Sequence, residues 1–248
     1  MQKKFPIKLT FSTPIATDDW PYIYLAQPRI PVLYFLLAGL LALLLFRSYR
    51  YWRATGLVGR WTTPHWHFFF LGAAFMLLEV QNISKASVAL GNTWEVNAVI
   101  VSGVLCMILI ANLLAYLFPR FPLGLAYTLL IGTCLGLYFL DLSVFAFLPY
   151  TSEALIVGSL TTLPMIFSGI VFIRSFAVVP GKGEALGANL IGALVGALLQ
   201  SVTFVIGVKA LLLIVAGFYF LSLLTRPKIV AQELPESTGL PGQFSQAG

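Results

Sequence analysis

Between residues 30 and 225 the sequence is a succession of long apolar runs, and this feature constrains the fold more than any other. A hydrocarbon core of ~30 Å takes about 20 helical residues to cross. Seven runs approach or reach that length: 30–46, 66–87, 96–118, 122–147, 153–173, 184–204 and 208–225. They are continuously apolar, whereas the strands of a membrane barrel alternate lipid-facing and lumen-facing residues. A helix also satisfies its own backbone hydrogen bonds, which lipid cannot do for it. The expected fold is therefore all-α, a polytopic transmembrane helix bundle of about seven spans, with six to eight as the range. Composition excludes the main alternatives. Hydrophobic residues make up 59% of the chain and charged residues only 10%, against about 25% charged in ordinary soluble domains. So few charges cannot cover the surface of a water-soluble fold of 248 residues. So much apolar surface is equally incompatible with disorder.

The ends read differently from the middle. Residues 1–29 form an extramembrane segment. Its Ile7, Leu9 and Phe11 alternate with Lys8 and Thr10 as a strand does, and Pro14, Asp18, Asp19 and Pro21 then punctuate a turn. No apolar stretch follows Lys3 and Lys4, so this is not a secretory signal peptide. A lone strand has no partner, and the segment reads as the remnant end of a soluble domain. Residues 30–225 form the transmembrane domain, and 226–248, with Pro235, Gly239, Pro241 and Gly242, read as a disordered polar tail.

Charge sets the expected orientation. On a seven-span count one side holds Arg47, Arg50, Arg53, Arg60, Arg120, Arg174, Lys182, Arg226 and Lys228, and the other Arg29, Lys85 and Lys209. Nine against three places the C-terminus in the cytoplasm. The net charge of +6 is spread between apolar runs as membrane flanks, which points to the lipid bilayer as partner and away from nucleic acid.

Function, if it is written in the spans, lies in their few polar residues. Glu79 sits inside the second run, where an ionised carboxylate costs a few kcal/mol on insertion scales. Asn82 shares its helix face three residues on. Asn97 and Asn112 lie on the third run, and Asn189 and Gln200 lie eleven residues apart on one face of the sixth. Glu79, Asn82, Asn97, Asn189 and Gln200 together form the candidate intramembrane polar site. One reading makes Glu79 a proton or cation site. The other makes it a structural carboxyl hydrogen-bonded to a neighbouring helix, with the amides gluing helices together. Ala188, Gly192 and Gly196 form a small-xxx-small ladder expected to allow close helix contact within the bundle. Pro164 is expected to kink the fifth run, with Thr161, Thr162 and Ser168 available to the freed carbonyl. His65 and His67, beside Trp61 and Trp66, read as interfacial anchors. Cys106 and Cys134 are single residues within apolar runs, so neither a disulfide scaffold nor a Cys-rich metal site is expected. There is no GxGxxG, P-loop, HExxH or nucleophile elbow, and no catalytic residue, metal or cofactor is expected.

Three stretches carry a resemblance. TDDWPYIYL at Thr17–Leu25 resembles the junction of bacterial membrane-integral spermidine-synthase-like proteins, where an aminopropyltransferase-like or methyltransferase-like Rossmann domain passes into membrane helices. FFLGAAFMLLEVQNISKASVALGNTWEVNAVIVS, from Phe69 to Ser102, resembles that family's Glu-containing helix and the Gly-x-Thr-Trp-x-Val-Asn-Ala turn after it. GANLIGALVGALLQSVTFVIGVKALLLIVAGFY, from Gly187 to Tyr219, resembles its closing helix pair. Two positions depart from the pattern: Gln200 stands where many relatives have an acidic residue, and Gln81 where a lysine is frequent. The glycine-rich loop and acidic ribose-binding residue of the Rossmann part are not found in this sequence. The resemblance thus implies a module of the bacterial inner membrane that anchors or scaffolds a synthase-like domain, without catalytic residues of its own. That domain would be joined upstream in a longer or split gene product, or supplied as a separate chain. The competing expectation is a transporter or channel for a small cationic or amphipathic solute, with Glu79 as its coupling carboxylate.

Overall fold

The computed structural model describes residues 17, 19–22, 25, 27–54, 61–91 and 93–227. The strand pattern at 7–11, Asp18 and the tail beyond 227 lie outside the described residues. What is described is helical, with no strand among the described residues: α1 (Val32–Ala54), α2 (Thr63–Leu90), α3 (Trp94–Leu117), α4 (Leu123–Phe139), α5 (Tyr150–Val178), α6 (Lys182–Leu199), the single turn α7 (Thr203–Ile206) and α8 (Leu211–Leu224). Four of the longer helices, and the stretch Lys182–Ile206 as a fifth, are long and apolar enough to cross a membrane; α4 and α8 are shorter, at 17 and 14 residues.

Local chemistry explains where the helices begin and end. Pro64 and the Thr62 N–H···Nδ1 bond to His65 (3.0 Å) start α2. Thr93 Oγ1 accepts the Val96 N–H at 3.3 Å and starts α3. The fourth apolar run was expected to be one helix to residue 147, but it breaks after Phe139. The Asp141 carboxylate accepts the Ser143 N–H (3.1 Å), diverting the backbone into a short 3₁₀ turn at Leu142–Phe145, and Pro149 precedes α5. The last run likewise starts later than its apolarity suggests. Gly207 takes φ +88°, a conformation L side chains rarely adopt, and α8 begins only at Leu211.

Cross-helix bonds fix the direction of each helix. Lys85 near the end of α2 meets Leu137 near the end of α4. Arg174 near the end of α5 meets Phe118 and Pro119 at the end of α3. His67 near the start of α2 and Tyr127 near the start of α4 both meet Ser222 near the end of α8. Helices α2, α4 and α6 therefore run from one end of the bundle to the other, and α3, α5 and α8 return. Arg120, Arg174, Lys182 and Arg226 gather at the first end, called here the basic end; Asp19, Asp141, Glu153 and Lys209 gather at the opposite one.

Helix α2 is the hub, packed against α3, α5, α6 and α8. Its Phe68, Leu71, Leu77 and Leu78 are buried with Leu130, Met165, Leu212 and Val215. Against α6 it lies parallel and very close. A Cβ on Gly192 would stand 2.0 Å from the Phe69 carbonyl oxygen, and one on Gly196 2.6 Å from that of Ala73. Only hydrogen fits there, so the small-residue ladder that includes the buried Ala188 faces α2. By contrast α1 lies at the periphery, and its Phe35, Leu36 and Leu43 point outward, as do Leu105 and Leu109 of α3.

Candidate functional site

The end of the bundle opposite the basic end is closed by a clasp from the segment before α1. The turn of chain at Gly207 leaves the Val208 and Lys209 N–H groups without helical acceptors. Asp19 supplies both: its carbonyl accepts from Val208 (2.8 Å) and its Oδ1 from Lys209 (2.6 Å). The Trp20 Nε1–H donates to the Phe204 carbonyl at 2.8 Å, and the Tyr22 hydroxyl donates to Thr203 Oγ1 at 2.6 Å. The Tyr22 ring packs on Phe204 with centroids 4.5 Å apart. A side chain at Gly207 would stand 2.6 Å from the Asp19 carboxylate, so glycine is needed there for space as well as for φ.

Beside the clasp lies a recess of about 690 Å³, its open mouth included, walled by Lys85, Asp141, Glu153 and Lys209 with Val88 and Leu140 as apolar surface. Lys85 and Glu153 are nearly covered, at 7% and 8% exposure. The Lys85 ammonium donates to the Leu137 carbonyl, one of the last-turn acceptors that α4 leaves unpaired when it stops at Phe139. The Ser143 backbone N–H holds the Asp141 carboxyl below the usual aspartate range; the Ser143 hydroxyl adds to this, and Lys209 and Lys85 add a smaller Coulombic part. None of the four charged groups closes an ion pair with another within 4.0 Å. Two cations and two carboxylates thus face one cavity with hydrogen-bonding capacity to spare, which suits water or a small solute carrying both charges. One turn above Lys85 on α2, Gln81 and Asn82 are fully buried, and all four of their side-chain amide atoms lack a partner among the described residues.

The residues singled out from the sequence are not gathered into one site. Glu79 is half-buried and lines neither this recess nor the one at the basic end. Asn82 is buried on the same helix. Asn97 was expected inside a span, but it stands exposed on the first turn of α3, because α3 begins at Trp94 and places it at the bundle end. Asn189 donates to the Phe68 carbonyl at 3.1 Å and ties α6 to α2. Gln200 lies where α6 gives way to a 3₁₀ turn, and its carbonyl accepts from Thr203 Oγ1. Asn112 bonds only its own helix, at the Ile108 carbonyl. His67, read as an interfacial anchor, is buried with Nδ1 2.8 Å from the Ser222 carbonyl oxygen, whereas Trp61 and Trp66 are exposed. Helix α5 continues through Pro164. Thr161 and Thr162 donate one turn earlier, to Val157 and Gly158, and Ser168 pairs with the Tyr219 hydroxyl, so none serves the carbonyl that the proline frees.

Sequence reasoning missed Glu153 and the joining of Lys85, Asp141 and Lys209. These residues are 12 to 124 positions apart in the chain, and only the alternation of helix direction brings them together. The one usable signal was that all four fall at run ends assigned to the same side. Among the described residues no group of three or more His, Cys, Asp or Glu side chains is placed to hold a metal ion. No family model matches the chain, and neither a curated protein nor a solved structure is found similar to it.

Proposed function

We propose that this chain is an integral membrane module of about seven spans that anchors or scaffolds a spermidine-synthase-like domain, joined upstream or supplied as a separate chain. The observation that carries the membrane part is the outer surface. Long apolar helices present Phe35, Leu36, Leu43, Leu105 and Leu109 outward, where water would penalise them and lipid would not. The anchoring part is supported by the clasp: Asp19, Trp20 and Tyr22 hold the chain before α1 firmly on the bundle, so a domain joined there would be rigidly mounted. The nine-to-three split of Lys and Arg supports a basic end and C-terminus in the cytoplasm of a bacterial inner membrane, with the clasp on the other face.

The test uses the full chain expressed with and without a purified aminopropyltransferase-like Rossmann domain. Membranes washed with alkaline carbonate should retain the chain, and the chain should hold the domain through the clasp. Trp20→Ala, which loosens the clasp on the bundle, should weaken that hold while the chain stays in the membrane. Recovery of the chain in the carbonate supernatant refutes the membrane part. Retention without any binding of the domain refutes the anchoring part.

A second reading, a transporter for a small solute, draws on the recess, whose charged walls end at Lys85 one turn below the orphan Gln81 and Asn82 amides. Glu79 lies off that route, so on this reading Lys85 and Glu153 handle the solute. Solute-independent proton or cation flux in proteoliposomes that is identical with and without Glu153→Gln would remove it.

A further inference from the structure

At the basic end a second recess lies between the α3–α4 link, the start of α4, the last turn of α5 and the residues after α8. It encloses about 620 Å³, its open mouth included, and is walled by Phe121, Leu123, Arg174, Ser175, Val178 and Arg226. Among the described residues every polar side chain on that wall is a donor, and no carboxylate lines it. Arg174 is held in place because its guanidinium donates to the Phe118 and Pro119 carbonyls just past the C-terminus of α3. Those two bonds use two of its five N–H groups and leave the others free. The Arg226 guanidinium makes no hydrogen bond or ion pair among the described residues. The Ser175 hydroxyl is 2% exposed, borders the recess and has no partner among the described residues. A buried serine on a helix ordinarily returns its proton to a carbonyl one turn back, as Thr161 and Thr162 do in this same helix. Ser175 does not, so its hydroxyl is left for something that enters the recess.

We infer that this recess binds the phosphodiester of an anionic phospholipid, with Arg174, Arg226 and the Ser175 hydroxyl on the phosphate oxygens. The ligand must bring acceptors and negative charge, which a phosphate does and an amine or a neutral sugar does not. The apolar wall selects the lipid over a free phosphate. Phe121 and Leu123 flank the phosphate position, and Val178, half-exposed at the rim, leads onto the apolar outer surface where an acyl chain would run. Basic pockets between helices at the cytoplasmic end of a membrane bundle have this lipid chemistry in general. The inference rests on the membrane reading above, because only a membrane supplies the lipid at that height.

The experiment uses the full-length chain purified in a neutral detergent. Its thermal midpoint and its lipid adducts in native mass spectrometry are measured with phosphatidylglycerol, with phosphatidylcholine and with inorganic phosphate alone. Phosphatidylglycerol should raise the midpoint and remain as one adduct, and the other two should not. Arg226→Gln should weaken that adduct about fivefold or more, and Ser175→Ala, which disturbs nothing else, should weaken it less. Arg50→Gln removes the same charge from the exposed face of α1 and should leave the adduct intact. Equal losses in Arg226→Gln and Arg50→Gln, or no phosphatidylglycerol adduct at all, would overturn the inference. Equal protection by inorganic phosphate would overturn the lipid assignment. A chain that stays monodisperse when the detergent is removed would instead refute the membrane reading.

Discussion

The parallel contact between α2 and α6 offers the sharpest test of the packing. In Gly192→Ala the new Cβ would sit 2.0 Å from the Phe69 carbonyl oxygen, 2.8 Å from its carbon and 3.0 Å from its Cα. All three are backbone atoms in the middle of a helix, so no rotamer change relieves the clash. The helices must separate by more than 1 Å, and Asn189 must then lose its bond to Phe68 or stretch it. Overpacking costs about 1–3 kcal/mol, and rigid backbone on one side puts this case at the top of that range. Alanine also gains about 1 kcal/mol of helix propensity over glycine, which would mask part of the loss. Gly187→Ala removes that ambiguity, because Gly187 lies on the same helix and a Cβ there meets nothing within 4 Å. The propensity gain cancels between the two variants, leaving a gap of about 3 kcal/mol, or roughly 6–12 °C in thermal midpoint for a chain of this size. The assay is thermal unfolding of the detergent-solubilised variants side by side. A Gly192→Ala midpoint equal to or above that of Gly187→Ala would refute the close α2–α6 contact.

Three further outcomes follow from the polar groups. Glu79 is half-buried and hydrogen-bonds nothing among the described residues, so Glu79→Gln and Glu79→Leu should both keep the thermal midpoint at or above that of the unmodified chain; a clear loss in the leucine variant would mean a partner for the carboxyl. Lys85→Met keeps the side chain's length but leaves the Leu137 carbonyl without its donor, and should cost about 1–3 kcal/mol by chemical denaturation in mixed micelles; no change would show that the cap is not formed. Asp141 has its pKa lowered by the Ser143 N–H, so its contribution is present above the ordinary aspartate range and is lost as the pH falls through the lowered value. Asp141→Asn should therefore lose that contribution at pH 7 and flatten the decline in stability below about pH 4; an unchanged acid limb would rule out that bond as its source.

The apolar runs made the helices legible, because continuous apolarity at that length has few other outcomes. The ladder of Ala188, Gly192 and Gly196 could be read for its capacity to approach another helix, though not for which one. Helix ends were less legible. The run at 122–147 stays apolar through Val144 and Phe147, and only a capture of one backbone N–H by Asp141, invisible to hydropathy, splits it. His67 was misread for a similar reason: its neighbours Trp61 and Trp66 belong to the outer surface, yet one step around the helix turns its ring inward to Ser222. The polar site was the least legible part. Intramembrane Glu, Asn and Gln draw attention because insertion penalises them, whereas Glu153 and Lys209 sit at run ends where charge is ordinary. Their significance comes from a recess formed by four separate chain segments, and no local pattern reports that.

The proposed topology has the bundle crossing a membrane with its basic end in the cytoplasm and its clasp on the other side. Single cysteines test it directly, in a chain whose Cys106 and Cys134 are replaced by serine and alanine. Ala146→Cys places the thiol on the exposed link before α5, at the clasp end, and Gly183→Cys places it in open space on the first turn of α6, at the basic end. Labelling intact cells with a membrane-impermeant maleimide should modify Cys at position 146 and spare position 183 until the membrane is permeabilised. Labelling of both positions from outside, or protection of both, would contradict that topology.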